Sequence, residues 1–528
     1  MGKIAKYLNQ LIVGNAFDTP EILESYSTDR SALKIKPKIV MFPESTEDIR
    51  KLMRFFNQIA AKDIPVSVTA RGAGLSEGGE CLSNGFIVST EKLNRMLEID
   101  PRERLVRVQA GITLKELNTA LSVSGLTIPI GGHENETIGG LISNCPADPY
   151  SGKYGGIYNF VERVEVVLAN GECLQTVRFK RYALAKKVTE KSFEGEIYQK
   201  IVKLLKNNEK YIEELGEDRK SLAGYPSIAK VAKKETVDLM PLFFGAQGTL
   251  GIISEVILRA IPLRKRPVRA VVTFKEVAPA VRFMEAVKSL QPREINLYDL
   301  KIVQEARETG KNLDGVIRRL EDGFVVFLSF DEKGNYCLRK LSALKDKMPR
   351  NVKFIFESPK NRQILNEFEN TLVSYLNGTK VGERVPILTD FYLPGRNLEN
   401  FLKDLKVLEE KLDLDLAIFG SYGNSTYNLR PCFNLEEEGF NKKAATLLRA
   451  GAYVIDRQEG FLTGGTPEGR LKAVVTNTKM LESEKNLYEE IKKIFDKNGI
   501  LNPDVKLGAN SKFTLTHFRN TTLPKVML

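Results

Sequence analysis

Four glycines fall within nine residues in the stretch Arg71-Gly-Ala-Gly-Leu-Ser-Glu-Gly-Gly79. Ile64-Pro-Val-Ser-Val-Thr-Ala70 precedes it and Gly85-Phe-Ile-Val-Ser89 follows, each an apolar run suited to a buried strand. Glycine at this density would destabilise a helix or strand interior, because so much backbone freedom is lost. It suits a loop whose bare N–H groups turn toward a ligand, and a concave row of N–H groups is an anion site, most often for phosphate. Taken alone, a glycine-rich connection between two strands accounts for the loop as well.

A chain of 528 residues is too long for one hydrophobic core, so two or more domains are expected. No apolar run is long enough to span a bilayer, and Met1-Gly-Lys-Ile-Ala-Lys6 carries no apolar signal core. The expectation is a cytoplasmic protein, with room for contact at the inner face of the membrane. The net charge of +12 is accompanied by no helix-turn-helix, zinc-finger or aromatic-basic RNA motif, so nucleic acid is not expected as a partner. A small anionic or hydroxylated substrate, or an anionic membrane surface, suits the charge better. The cysteines, Cys81, Cys145, Cys173, Cys337 and Cys432, form no Cys-x-x-Cys pair, which argues for free thiols and against zinc or iron–sulfur ligation. Only two histidines exist, His133 and His517.

In chain order, residues 1–35 read as a helical lead-in, 36–265 and 266–508 as two domains, and 509–528 as a tail. Ser45 or Thr46 caps a helix whose acidic first turn, Glu47 and Asp48, suits the positive helix end. Another helix opens at Thr113. Two more glycine-punctuated segments follow, Thr137-Ile-Gly-Gly-Leu-Ile-Ser-Asn144 with Lys153-Tyr-Gly-Gly156, and Gly245-Ala-Gln-Gly-Thr-Leu-Gly-Ile-Ile-Ser254. Asn170-Gly171 predicts a hairpin turn, and residues 195–235 read as helical. Beyond Pro262 and Pro267, strands alternate with amphipathic helices, which predicts a mixed sheet with helices packed on it. Gly499-Ile-Leu-Asn-Pro503 closes the last long helix.

Three glycine-rich segments, each beside a strand, together with Gly-Ile-Leu-Asn-Pro near the end, resemble the vanillyl-alcohol-oxidase-type FAD-binding family over roughly residues 20–508. The nearest branch looks like the D-lactate and glycolate dehydrogenases with a linked C-terminal oxidase domain. The resemblance implies an α+β fold: a PCMH-type FAD-binding domain of two α/β subdomains, and a C-terminal mixed-sheet substrate domain. It implies that Arg71, Gly72, Ala73, Gly74, Leu75, Ser76 and Gly79 hold the FAD pyrophosphate. Thr137, Gly139, Gly140, Asn144, Tyr154 and Gly155 would line the cofactor, Gly251, Ile252 and Ile253 would pass its adenine end, and Asn502 would sit near the flavin. Some members carry a flavin-linked His where this chain has Leu75, so FAD is expected to be non-covalent. Glu77 and Glu80 place negative charge near the phosphate site and are expected to point away.

The metal motif of that family reads Gly-His-x-Gly-Asp-Gly-Asn-x-His, and here the stretch is Gly420-Ser-Tyr-Gly-Asn-Ser-Thr-Tyr-Asn428. Ser421 and Asn428 replace the histidines and Asn424 the aspartate. A second motif, Ser-Gly-Glu-His-Gly-x-Gly-Arg, appears as Thr463-Gly-Gly-Thr-Pro-Glu-Gly-Arg470, with Gly465 for the glutamate and Thr466 for the basic histidine. Ser, Asn and Thr are poor ligands for a zinc-like ion, so no metal is expected. Arg430 and Arg470 remain as candidates for an anion, and Tyr422 and Tyr427 for hydrogen bonding, with structural roles open for all four. His133 is a lesser candidate. Two functions stay open: a metal-free FAD oxidoreductase acting on a hydroxylated molecule, or a flavin-binding subunit that has lost this chemistry. A quinone or an electron-transfer protein is the expected acceptor in the first case.

Overall fold

Three large sheets carry the architecture. The computed structural model describes residues 2–216, 220–264, 266–308, 323–345, 348–349, 351–377, 384–433, 437 and 439–519. In the first sheet Ile39–Phe42, Phe86–Ser89 and Val68–Arg71 run parallel, with Asn15–Phe17 antiparallel on Ile39–Phe42. Parallel neighbours need a crossover, and the helix Thr46–Ala60 supplies one. Ser45 caps it by accepting the Asp48 N–H at 3.2 Å. Ile49, Leu52, Met53 and Phe56 recur at helical spacing and are all buried.

The second sheet is antiparallel, in the order Met96–Asp100, Leu105–Gln109, Ile252–Arg259, Val161–Val167, Cys173–Gln175. The Asn170-Gly171 turn joins its last two strands, with Gly171 at φ +80°. Thr113 and Glu116 form a reciprocal cap on the helix Leu114–Ser122. The helical expectation for 195–235 holds through Phe193–Asn207 and Glu209–Leu215, then gives way to a 3-10 turn, Pro226–Lys230, and a short hairpin. Gly216, Gly224 and Pro226 stop the helix there.

The third sheet has the order Lys353–Phe356, Val268–Phe274, Phe324–Phe330, Glu294–Asp299, Leu416–Ser421, Thr426–Pro431, Leu388–Tyr392. Where the alternation of strands and helices predicts a mixed sheet, these pairings are antiparallel throughout. The reason is a split crossover. Val268–Phe274 passes through the helix Val277–Lys288 to Glu294–Asp299, but Phe324–Phe330 inserts between the two strands and pairs antiparallel with both.

The end of the described chain folds back on its start. A helix spans Ser511–Thr516, and the Arg519 N–H reaches the Ala32 carbonyl at 2.9 Å. Residues 520–528 of the expected tail lie outside the described residues. Among the described residues no helix is long and apolar enough to cross a membrane.

Candidate active site

A cavity of about 380 Å³ lies between the glycine-rich segments and the third sheet. On one side it is lined by Arg71, Gly72, Ala73, Gly74, Leu75 and Ser76, by Thr137, Gly139, Gly140 and Asn144, and by Ile252 and Ile253. The loop after Val68–Arg71 lies close against the segment that follows Thr137. A Cβ on Gly72 would stand 2.2 Å from the Thr137 Oγ1. Gly74 has φ +69°, and its Cβ would stand 2.3 Å from the Arg71 guanidinium. Among the described residues no hydrogen bond engages the N–H groups of Ala73, Gly74 and Leu75. The Arg71 side chain itself turns toward the lead-in, donating to the Thr28 carbonyl at 2.9 Å and lying over the Tyr26 ring.

Five of the residues implied as cofactor-binding stand outside the cavity lining: Gly79, Tyr154, Gly155, Gly251 and Asn502. Gly79, at φ +76°, packs on Leu33. A Cβ on Gly251 would meet Val166 at 2.3 Å, so its bareness serves strand packing. Tyr154 and Lys153 both bind Asp331 and tie the two halves of the chain together. Asn502 is a buried hub: it accepts from Thr69 at 3.0 Å and donates to the carbonyls of Glu80 at 2.9 Å and Gln247 at 2.7 Å.

The third sheet supplies the opposite wall. Successive strand residues face opposite sides, so Thr426, Asn428 and Arg430 reach the cavity while Tyr427 and Leu429 enter the core. Tyr422 also stands outside the lining, with its hydroxyl on Glu285 at 2.9 Å. Arg470 is buried and spends its guanidinium on the carbonyls of Leu82 and Pro503 and on Asn502. Sequence reasoning missed Glu294, Asn296 and Tyr298, which line the wall from one strand face. Their signal was legible: in Glu294-Ile-Asn-Leu-Tyr-Asp299 polar groups alternate with Ile and Leu. Asp390, Glu136 and Asp148 were missed as well.

The cavity is rich in carboxylates. Glu77 does not point away; it lines the cavity and bridges two guanidiniums, Arg430 at 2.6 Å and Arg30 at 3.0 Å. Burial alone would raise its carboxyl, but Arg430 and Arg30 outweigh burial and hold it below the usual carboxylate range. Glu80 also lines the cavity, and burial raises it. Burial pushes both Glu136 and Asp148 up to about 7. His133 is lowered by burial, and its Nδ1 accepts the Asn135 N–H at 3.1 Å.

Of the five residues standing at the histidine and carboxylate positions of the two motifs, three reach the cavity. Ser421, Asn428 and Thr466 line the cavity. Asn424 instead donates to the carbonyls of Ala147 and Asp148, locking the two halves together. Among the described residues no group of three or more His, Cys, Asp or Glu side chains is arranged to hold a metal ion.

Two family models match the chain. Residues 37–176 match the family described as FAD binding domain, and residues 264–505 match FAD linked oxidases, C-terminal domain. A D-2-hydroxyglutarate dehydrogenase of Pantoea ananatis is 26% identical over 504 residues, covering 91% of this chain and 49% of that protein. A D-lactate dehydrogenase of Anaerostipes hadrus is 22% identical over 499 residues, covering 92% of each. The chain thus spans about half the length of the first relative and most of the second. Among solved structures, 4-ethylphenol oxidase from Gulosibacter chungangensis superposes with a TM-score of 0.69 at 15% identity, covering 96% of this chain and 97% of that one.

Proposed function

The chain belongs to the FAD-linked oxidoreductases, carrying both their FAD-binding and their C-terminal domains, and we propose that it oxidises a hydroxylated small molecule, a 2-hydroxy acid by class, by a metal-free route. FAD, when bound, supplies the two-electron oxidant. The free N–H groups of Ala73, Gly74 and Leu75 suit its pyrophosphate, and Thr137, Gly140 and Asn144 complete that side. Leu75 offers no nucleophile, so the cofactor is held without a covalent bond.

One observation carries the substrate reading. Arg430 gives one end of its guanidinium to Glu77, while among the described residues its buried Nη1 has no hydrogen-bond partner and the residue lines the cavity. A buried cation with a free donor is matched by a carboxylate. A hydroxy acid seated there places its carbinol between the sheet and the glycine-rich side. The same positive balance, +12 over the chain, suits work in the cytoplasm at the inner face of the membrane, with a quinone or an electron-transfer protein taking the electrons.

The test is anaerobic bleaching of the flavin by D-lactate, glycolate, D-2-hydroxyglutarate and further 2-hydroxy acids. Bleaching by at least one is expected. A flavin that dithionite bleaches and no hydroxy acid does would overturn the reading.

A further inference from the structure

Asp390 is held in a way its strand does not require. It lies in Leu388–Tyr392, at the edge of the third sheet, where the pairing with Thr426–Pro431 slips between Leu388 and Phe391. Such a bulge re-aims a side chain. Asp390 also has φ +47°, a left-handed conformation that non-glycine residues seldom adopt. Strain of this kind persists only where the surroundings enforce it, and it gathers at functional sites.

The surroundings are specific. The Asn428 amide holds Asp390 twice, accepting its backbone N–H at 3.0 Å and donating to its carboxylate at 3.1 Å. Gly465 donates its N–H to the Asp390 carbonyl at 2.7 Å. The Thr466 hydroxyl accepts from the Lys472 Nζ at 2.9 Å and so is turned to donate to the Asp390 carboxylate at 3.3 Å. Asn428, Gly465 and Thr466 are the positions where the related motifs place two imidazoles and a carboxylate. In this chain the three smaller residues surround a single carboxylate that lines the cavity. A Cβ on Gly465 would stand 2.5 Å from the Asp390 carbonyl oxygen, so a larger side chain there and this backbone exclude each other.

Resting on the reading of a hydroxyl-oxidising site, we propose that Asp390 is its general base. The substrate O–H bond breaks and its proton goes to the Asp390 carboxylate. The carbinol C–H bond breaks in the same step, its hydrogen and electron pair leave to the bound flavin, and the carbon–oxygen double bond forms. The substrate is oxidised and the flavin reduced.

Asp390 faces the carboxylates of Glu77 and Glu136 and the cations of Lys472 and Arg430. Burial first and Glu77 second raise its carboxyl above the usual range, toward that of a working base.

The experiment uses the flavin-loaded protein and Asp390→Asn, matched for flavin content and melting temperature. Asp390→Ser carries the same expectations should the first variant be unstable. The best hydroxy acid from the panel should bleach the variant at least about a hundredfold more slowly, the lower end of what a positioned base contributes. Oxalate, already oxidised and followed by its shift of the flavin spectrum, gives a readout without turnover. Losing a facing carboxylate should tighten oxalate binding roughly tenfold at pH 8, and the advantage should shrink as the pH falls. Variant bleaching within threefold of the wild type, or equal oxalate affinity at pH 8, would overturn the assignment. So would Glu136→Gln losing the rate while Asp390→Asn keeps it. Wild-type flavin that no hydroxy acid bleaches would instead bring down the functional reading, and the assignment with it.

Discussion

Arg430, on the third sheet, reaches across the cavity to Glu77 on the glycine-rich loop, Nη2 to Oε1 at 2.6 Å. Both side chains are largely buried, at 7% and 15% exposure, so neither charge is well solvated without the other. Removing one partner of a buried pair costs about 3–5 kcal/mol, because the remaining charge is stranded. Arg30 stays on Glu77, which places Arg430→Met at the lower end of that range. Denaturant unfolding should show the loss, and Glu77→Gln combined with Arg430→Met should recover only part of it, because Arg30 then loses the same carboxylate. An Arg430→Met protein as stable as the wild type would show that the pair does not hold the halves together.

Purified protein is expected to be yellow and to carry FAD. Acid precipitation should release all of the flavin into the supernatant, because Leu75 provides no attachment point. Colour left in the pellet would mean a covalent link elsewhere in the chain.

Gly74 tests the phosphate side. Its φ of +69° strains any side chain, and a built Cβ would stand 2.3 Å from the Arg71 guanidinium, which would have to shift. Gly74→Asp adds a negative charge beside the N–H groups offered to phosphate. Flavin occupancy should fall to background while circular dichroism stays close to the wild type. Full occupancy would mean that this loop is not the cradle.

Glu136 should make stability depend on pH. Burial raises its folded carboxyl to about 7, against about 4.3 in an unfolded chain. The folded state therefore holds the proton more tightly. Its contribution is fully present below about pH 4 and is lost as the pH rises through about 7. Gln mimics the protonated form. Glu136→Gln should match the wild type near pH 4 and exceed it by about 3.6 kcal/mol at pH 8, on the order of 1.4 kcal/mol for each unit between about 4.3 and about 7. A difference independent of pH would place the titration elsewhere.

Chelation should change nothing. Ser421, Asn424, Asn428, Gly465 and Thr466 stand where a metal site would need imidazole and carboxylate. Dialysis against EDTA should leave the bleaching rate by the best hydroxy acid unaltered. Activity lost to EDTA and restored by zinc or manganese would reveal a site built from other side chains.

Local chemistry settled much of this protein before any folding. Ser45, Thr113 and Asn170-Gly171 form the caps and the turn expected of them, because each depends on a few neighbouring backbone groups. The glycine-rich loop between two buried strands was legible for the same reason, whereas the FAD reading came from the resemblance that this loop shares with two further glycine-rich segments and Gly499-Ile-Leu-Asn-Pro503. Tertiary structure decided which of these features meet. Gly72 and Gly74 face the cavity, whereas Gly79 and Gly251, equally bare in sequence, pack on Leu33 and Val166. Arg430 reaches the site and Arg470 spends its charge on carbonyls in the interior. Asp390 becomes a candidate base only through a bulge and an asparagine 38 residues away. A strand pattern determines that alternate residues share a face, but which face meets the other half of the chain depends on register and packing between distant segments.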